Sequence, residues 1–145
     1  MSRALGLDLG SRRIGVAVSD AGGVLATPRT TLRRSGDRSR DHLAIAALVA
    51  EEEASTVVVG LPLSLDGGTG PAAAATLVEV AELAAVLPVP VVTHDERFTT
   101  VTAHDQLRAA GLNGRQRALV VDQQAAAVLL QSWLESNRRT NAQEP

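Results

Sequence analysis

The run Thr56-Val57-Val58-Val59-Gly60 is the strongest constraint on the fold of this chain. Its β-branched side chains are consecutive, so both faces of the strand that they predict must be covered. Such strands are typical of parallel sheets with helices packed on them. The chain has 145 residues, close to the roughly 150 of one ordinary domain, and we expect a single α/β domain.

Segments before this run predict further strands of the same sheet. Residues 3–9 and 14–19 predict two strands joined by Gly10-Ser11-Arg12-Arg13, and residues 24–32 predict a third. Pro28 favours an edge position for that third strand, because proline cannot donate to a ladder. We therefore expect a mixed sheet of about five strands, three antiparallel and then parallel, flanked by helices.

The later elements alternate between helix and strand. Helices are predicted over residues 40–53, 71–86, 99–110 and 118–136, and a second buried strand over residues 88–94. A polar loop is predicted over residues 113–117. We expect one domain over residues 1–137 and a disordered tail over residues 138–145.

Composition excludes several classes of function. The absence of cysteine excludes disulfides, thiolate zinc sites and cysteine nucleophiles. Aromatic residues make up 1% of the chain, so stacking of bases on aromatic rings is excluded as the main binding mode. No apolar run approaches the roughly 18 residues of a membrane span, and the first ten residues lack the apolar core of a signal peptide. We expect a cytoplasmic protein with no membrane partner.

Arginine is distributed unevenly along the chain. All 14 basic residues are arginine, and the net charge is −2. Five of them crowd one short stretch: Arg29, Arg33, Arg34, Arg38 and Arg40. Arginine favours bidentate phosphate contacts. A compositional bias explains the total number of arginines, but it explains the clustering less well.

Asp8 is an acidic residue in the middle of the first predicted strand. It lies between Gly6 and Gly10, on the face opposite the neighbouring leucines. A carboxylate there costs stability unless it is paired or binds a metal, and the glycines would let a ligand approach the backbone. An ion pair with Arg12 or Arg13 explains Asp8 about equally well.

Two further carboxylates are candidate partners of Asp8. Glu96 follows a predicted parallel strand, at the end where open α/β sheets bind ligands, although a solvated turn is the simpler interpretation of that motif alone. Asp122 falls on an otherwise apolar helical stripe with Ala126 and Leu129, which should face the sheet. A position in the first helical turn, where an acidic side chain interacts favourably with the helix dipole, would explain an aspartate in that turn. It would not explain why Asp122 lies on the apolar face of the helix.

If they converge, three carboxylates from separate segments suit Mg²⁺ or Mn²⁺, which prefer oxygen ligands. Two such ions about 4 Å apart can activate an attacking water and stabilise the leaving oxygen of a phosphodiester. This pattern favours hydrolysis of a nucleic-acid strand without a nucleophilic side chain.

Four segments in order carry a resemblance to a known family. They are residues 6–20 (GLDLGSRRIGVAVSD), residues 58–62 followed by Asp66-Gly67, residues 95–100 (DERFTT) and residues 121–126 (VDQQAA). Together they resemble the YqgF-type nucleases, bacterial proteins described as Holliday junction resolvases or pre-16S rRNA nucleases. The resemblance implies a ribonuclease H-like fold, and it implies that Asp8, Glu96 and Asp122 match the acidic catalytic, metal-binding positions.

The resemblance also implies a substrate class. It favours a metal-dependent nuclease in 5′ maturation of the 16S rRNA precursor, with cleavage of branched DNA as the second choice. A resolvase would need a homodimer, because its two cuts are related by a two-fold axis. Candidate substrate-binding residues are Arg13, Gly60, Pro62, Arg97, Arg115 and Arg117.

Two other classes of protein remain as alternatives. One is a non-catalytic nucleic-acid or ribosome-binding module on the same fold, which the three carboxylates disfavour. The other is an actin-like ATPase, which would need two such domains around its nucleotide.

Overall fold

The computed structural model describes residues 3–97 and 114–143, and the side chains of residues 3–97 and 120–138. Its strands and helices are β1 Arg3–Leu9, β2 Arg13–Ser19, β3 Ala26–Arg33, α1 Arg38–Glu51, β4 Ala54–Leu61, α2 Pro71–Val86, β5 Val91–Asp95 and α3 Gly114–Gln143. The helix predicted over residues 99–110 lies outside the described residues. Within them, no helix combines the length and the hydropathy that a membrane crossing requires.

The strands form one mixed sheet in the order β3-β2-β1-β4-β5. The first three strands pair antiparallel, and β4 pairs parallel with both β1 and β5. The predicted mixed sheet is confirmed, and so is the edge position of β3. The prediction of a second buried strand was wrong, because β5 is the other edge and its side chains are mostly half-buried.

Helices cover both faces of the sheet. Val57 and Val59 belong to a core formed with α1 and α2, whereas Val58 belongs to a core formed with α3. All three side chains are 0% exposed, which confirms that this run is buried on both faces. The sheet is therefore a central layer between helices at its middle strands.

Glycines on the α3 face let this helix lie directly on the sheet. A Cβ atom at Gly6 would lie 2.8 Å from Cβ of Leu130, and one at Gly15 would overlap the carbonyl oxygen of Asp122. The prediction that the glycines beside Asp8 admit a ligand was wrong for Gly6, and for Gly10 it stays a prediction. Gly6 contacts the helix, and a Cβ at Gly10 would lie 2.6 Å from the carbonyl oxygen of Arg13 in the tight turn after β1.

The last helix is longer than predicted at both ends. It begins at Gly114, so the backbones of Arg115 and Arg117 form its first turn instead of a polar loop. It continues to Gln143, so residues 138–143 are helical where disorder was predicted. Residues after Trp133 include no glycine or proline before the chain end at Pro145, and nothing in them stops a helix. The assignment of one domain to residues 1–137 stays a prediction.

Candidate active site

Asp8 and Asp122 meet on the α3 face of the sheet. Asp8 pairs in register with Gly15 of β2, and partners in an antiparallel pair direct their side chains to the same face. The carbonyl oxygen of Asp122 fills the space above Gly15. The missing side chain of Gly15 therefore brings the helix residue Asp122 next to the strand residue Asp8.

Glu96 reaches the same place from the opposite side. It follows β5 directly, and its backbone N–H donates to the carbonyl oxygen of Leu61 at 3.3 Å. Its Oε2 atom occupies the position that a Cβ of Gly60 would take. Gly60 lies in β4, which is the neighbour of β1. The side chain of Glu96 therefore crosses β4 at Gly60 and extends towards Asp8.

The electrostatics confirm that these carboxylates are close. Burial, followed by the negative charge of Asp122, raises the pKa of Asp8 to about 6. Burial, followed by the charges of Asp8 and Asp95, raises the pKa of Glu96 to about 7. Within the described residues, no donor forms a hydrogen bond with the Asp8 carboxylate. Asp8 is thus the centre of a partly buried acidic site, and its own carboxylate has no cationic partner among the described residues.

Arg13 forms an ion pair with Asp122 and not with Asp8. Its Nε atom donates to Oδ2 of Asp122 at 2.6 Å. This contradicts the interpretation of Asp8 as the partner of Arg13. Asp122 lies more than two turns after the start of α3 at Gly114, so the first-turn interpretation of Asp122 was also wrong.

The donor set fits a hard divalent cation. Three carboxylates offer only oxygen ligands, which Mg²⁺ and Mn²⁺ prefer, and a cation would stabilise the ionised forms that burial disfavours in Asp8 and Glu96. Among the residues that the structure describes, no three acidic or histidine side chains stand ready to hold one ion. Asp122 directs Oδ2 to Arg13, so in a metal-bound state Asp122 would either share its carboxylate between the ion and Arg13 or release Arg13.

The predicted substrate-binding residues have different environments. The Arg97 guanidinium pairs with Asp95 at 2.6 Å, as Arg13 pairs with Asp122. Gly60 lies beneath Glu96, which leaves no room for substrate on its Cα. Pro62 lines a cavity of about 490 Å³ together with residues of α1 and α2. The side chains of Arg115 and Arg117 lie outside the described part of the chain.

The side chains of His94, next to the Asp95-Glu96 segment, and Asp20, after β2, have structural partners. His94 contacts Oγ of Ser132 through Nε2 at 3.0 Å, so it fastens β5 to α3. Asp20 accepts hydrogen bonds from the backbone N–H groups of Val24 and Leu25 at 2.7 and 3.2 Å. These contacts give His94 and Asp20 structural roles, in packing β5 on α3 and in forming the turn after β2.

Sequence reasoning missed a buried ionic network on the other face of the sheet. Arg34 donates from Nε to the carbonyl oxygen of Gly10 at 2.9 Å and makes a bidentate pair with Glu79 at 2.7 and 2.8 Å. Glu79 also contacts Nε2 of His42 at 2.8 Å. The signal in the sequence was Glu79, one of two acidic residues in the otherwise apolar helix α2.

Solved structures identify the class of fold. The chain is similar to the RuvC protein of T. thermophilus in complex with a Holliday junction substrate, with a TM-score of 0.57 and 14% identity over 97% of this chain and 98% of that chain. A second Thermus thermophilus RuvC structure gives a TM-score of 0.55 and 15% identity over 95% and 97% of the two chains. The fold is therefore ribonuclease H-like, as the resemblance implied.

Residues 2–136 match the family model of RuvX, described as Holliday junction resolvase, and the chain belongs to this family. It is a nuclease, a hydrolase of phosphodiester bonds, and its class of substrate is nucleic acid. The resemblance to the YqgF-type nucleases is thus confirmed.

Curated relatives cover nearly all of this chain. A protein of Mycobacterium sp. (strain KMS) is 49% identical over 94% of this chain and 81% of its own length. One of Mycolicibacterium paratuberculosis is 51% identical over 94% and 81%, and one of Mycobacterium leprae (strain Br4923) is 50% identical over 94% and 74%. Each is named "Putative pre-16S rRNA nuclease".

Proposed function

We propose that this nuclease acts in the cytoplasm on the 16S rRNA precursor, in maturation of its 5′ end. Asp8, Glu96 and Asp122 are the proposed catalytic residues and the proposed ligands of Mg²⁺ or Mn²⁺. The observation that carries the proposal is the convergence of the three carboxylates around Asp8, two of them with raised pKa values. The choice of RNA is supported by the names of the relatives at about half identity.

Each carboxylate has a distinct task in this proposal. A divalent ion, when bound, supplies Lewis-acid stabilisation and a water that ionises readily. Asp8 offers oxygens at the centre of the site, and Glu96 and Asp122 flank it from β5 and α3. Arg13 stands at this site on Asp122, from which its guanidinium can turn to a substrate phosphate. Arg115 and Arg117 are proposed phosphate contacts, because the first turn of α3 precedes Asp122 on the same helix.

Cleavage of branched DNA is the second candidate. It is favoured by the description of the family and requires a homodimer with two equivalent sites. The two candidates use the same carboxylates. They differ in the substrate that is cut and in the oligomeric state that cutting requires.

The proposal is tested by cleavage assays with one purified preparation. A labelled 16S precursor fragment and a four-way DNA junction are incubated with Mg²⁺ or Mn²⁺, with wild type, Asp8→Asn and Asp20→Asn. We expect Asp8→Asn to lower the cleavage rate by about a thousandfold, because loss of an anionic ligand removes several kcal/mol of transition-state stabilisation. Asp20→Asn is the matched control, since Asp20 belongs to a turn.

The outcomes separate the candidates. Cleavage of the RNA by a monomer supports rRNA maturation, whereas cleavage of the junction alone by a dimer supports the second candidate. Full activity of Asp8→Asn on either substrate would contradict the carboxylate mechanism.

A further inference from the structure

The arginine-rich stretch runs from β3 into the start of α1, and its arginines differ in whether they have carboxylate partners. Arg29, Arg34 and Arg38 form ion pairs with glutamates of α1, α2 and the turn after α1. Arg33 is exposed and has no carboxylate partner among the described residues. Arg12, in the turn between β1 and β2, is exposed in the same way. Arg40, in the first turn of α1, is likewise exposed and has no carboxylate partner among the described residues, but Arg12 and Arg33 are the two that belong to the turn and the strand end next to Arg13.

Arg33 lies beside the acidic site. It pairs in register with Arg13, so the two side chains share one face of the sheet. Leu32, the preceding residue, packs on the core of α1 and α2, which places Arg33 on the face of α3. Since Arg13 on that face contacts Asp122, Arg33 flanks the carboxylates on the side of β3.

Two like charges directly opposite each other destabilise an antiparallel pair. Asp122 compensates the charge of Arg13, but no described residue compensates that of Arg33. Arg12 adds a third positive charge next to Arg13 in the sequence, and its carbonyl oxygen accepts from the backbone N–H of Arg34 at 2.9 Å. Arg12 in the turn, Arg13 at the start of β2 and Arg33 at the end of β3 thus bring three cations to the border of the acidic site, where they can contact the phosphates of a strand.

On the opposite side of the site the charge is already compensated. Arg97 follows Glu96 and is engaged by Asp95 at 2.6 Å. Among the described residues, the cations available to an anionic strand therefore lie on the side of β3.

We propose that Arg12 and Arg33 bind the sugar-phosphate backbone next to the cut, so that the nucleic acid runs from Asp8 across the end of the open edge strand β3. The inference rests on the proposed function and adds the path of the substrate to it. RNA and DNA both offer a backbone of phosphodiesters to these arginines. The binding test therefore measures the two nucleic acids separately.

Binding is measured with the inactive Asp8→Asn protein as parent. Arg12→Gln and Arg33→Gln are added to it singly and together. Arg138→Gln is the matched control. Arg138 is also an exposed arginine, but it lies far from the site, about 24 Å along helix α3 from Asp122. Fluorescence anisotropy gives the affinity for a labelled precursor RNA fragment and for a four-way DNA junction between 50 and about 300 mM KCl, a range over which phosphate contacts weaken steeply.

Each lost phosphate contact lowers the slope of log affinity against log salt by about 0.7 to 0.9. We expect Arg33→Gln and Arg12→Gln each to weaken binding about 5- to 10-fold at roughly 0.1 M salt, and Arg138→Gln to leave the slope unchanged. We also expect Arg33→Gln to unfold at or above the temperature of the parent, since it removes a like-charge neighbour of Arg13.

Three results would overturn the inference. They are an unchanged salt slope in the double variant, an equal loss in Arg138→Gln, and a lower unfolding temperature of Arg33→Gln that accounts for the weaker binding. If the parent and every arginine variant bind the nucleic acids with the same salt slope, the proposed substrate path is wrong but the proposed function is not. A parent that binds neither nucleic acid overturns the proposed function as well.

Discussion

Two charged clusters, one buried and one partly buried, lie at the same end of the sheet on opposite faces. On the face of α1 and α2, Glu79 is enclosed by Arg34 and His42 at 2.7 to 2.8 Å. On the face of α3, Asp8 has only other carboxylates as charged neighbours that affect its pKa. The turn after β1 separates the clusters, because Arg34 donates to the carbonyl oxygen of Gly10.

The pKa values of the two clusters move in opposite directions. Burial raises the pKa of Glu79, but hydrogen bonds from Arg34 and His42 lower it below its ordinary value. Burial raises the pKa of Asp8 to about 6, and no cation reverses this. Compensated charge is typical of a structural role, whereas uncompensated charge at a strand end is typical of a functional site. We therefore expect the cluster of Glu79 to stabilise the fold, and we propose that the cluster of Asp8 carries out the chemistry.

The largest expected effect is on the compensated cluster. Arg34→Met leaves Glu79 buried without its bidentate partner, and we expect the free energy of unfolding to fall by about 3 kcal/mol. Urea unfolding at neutral pH measures the loss. The double variant Arg34→Met/Glu79→Gln removes both charges, so it should recover at least half of the stability. A loss of less than about 0.5 kcal/mol in the single variant would remove the distinction between the clusters.

An effect of opposite sign is expected on the acidic cluster. Asp8→Asn removes a buried charge that has no partner, so we expect the free energy of unfolding at pH 8 without divalent cations to rise by about 2 kcal/mol. At pH 5 the carboxyl of folded Asp8 is largely protonated but that of the unfolded chain is still ionised, so about half of the gain should remain, and it should vanish only below about pH 4. A variant that is less stable than wild type at pH 8 would show that the carboxylate stabilises the fold.

The smallest effect is the pH dependence of the wild type. The folded pKa values of Asp8 and Glu96, about 6 and about 7, lie above the ordinary values of 3.8 and 4.5. Their protonated forms therefore favour folding below about pH 4, and this contribution is lost as the pH rises through 6 and 7. We expect unfolding without divalent cations to become easier by about 1 kcal/mol between pH 5 and 8, after allowance for solvent screening.

Added Mg²⁺ gives a check on that slope. An ion that binds the folded carboxylates stabilises the protein, and it binds their ionised forms, so its effect on the unfolding temperature should be larger at pH 8 than at pH 5. An equal effect at both pH values would indicate that Mg²⁺ binds elsewhere.

The elements that follow directly from periodicity and turn residues were predictable. The alternation around Asp8 and the consecutive β-branched run at Val57, Val58 and Val59 both predicted their strands, and helix α2 has the predicted bounds Pro71–Val86. The half-buried edge position of β5 was not predictable, since an apolar run does not reveal how many neighbours a strand has. The length of α3 was missed because its last turns have no apolar periodicity.

The sequence by itself determined which residues are out of place: Asp8 between glycines, Asp122 on an apolar stripe and Glu96 after a strand. Tertiary structure decided how they are used, because charges interact through space and not along the chain. It placed Arg13 on Asp122 and Arg34 on Glu79, and left Asp8 without a cation in the part of the chain that is described. Gly15 and Gly60 allowed this arrangement, since only a residue without a side chain lets Asp122 and Glu96 approach the strand that carries Asp8.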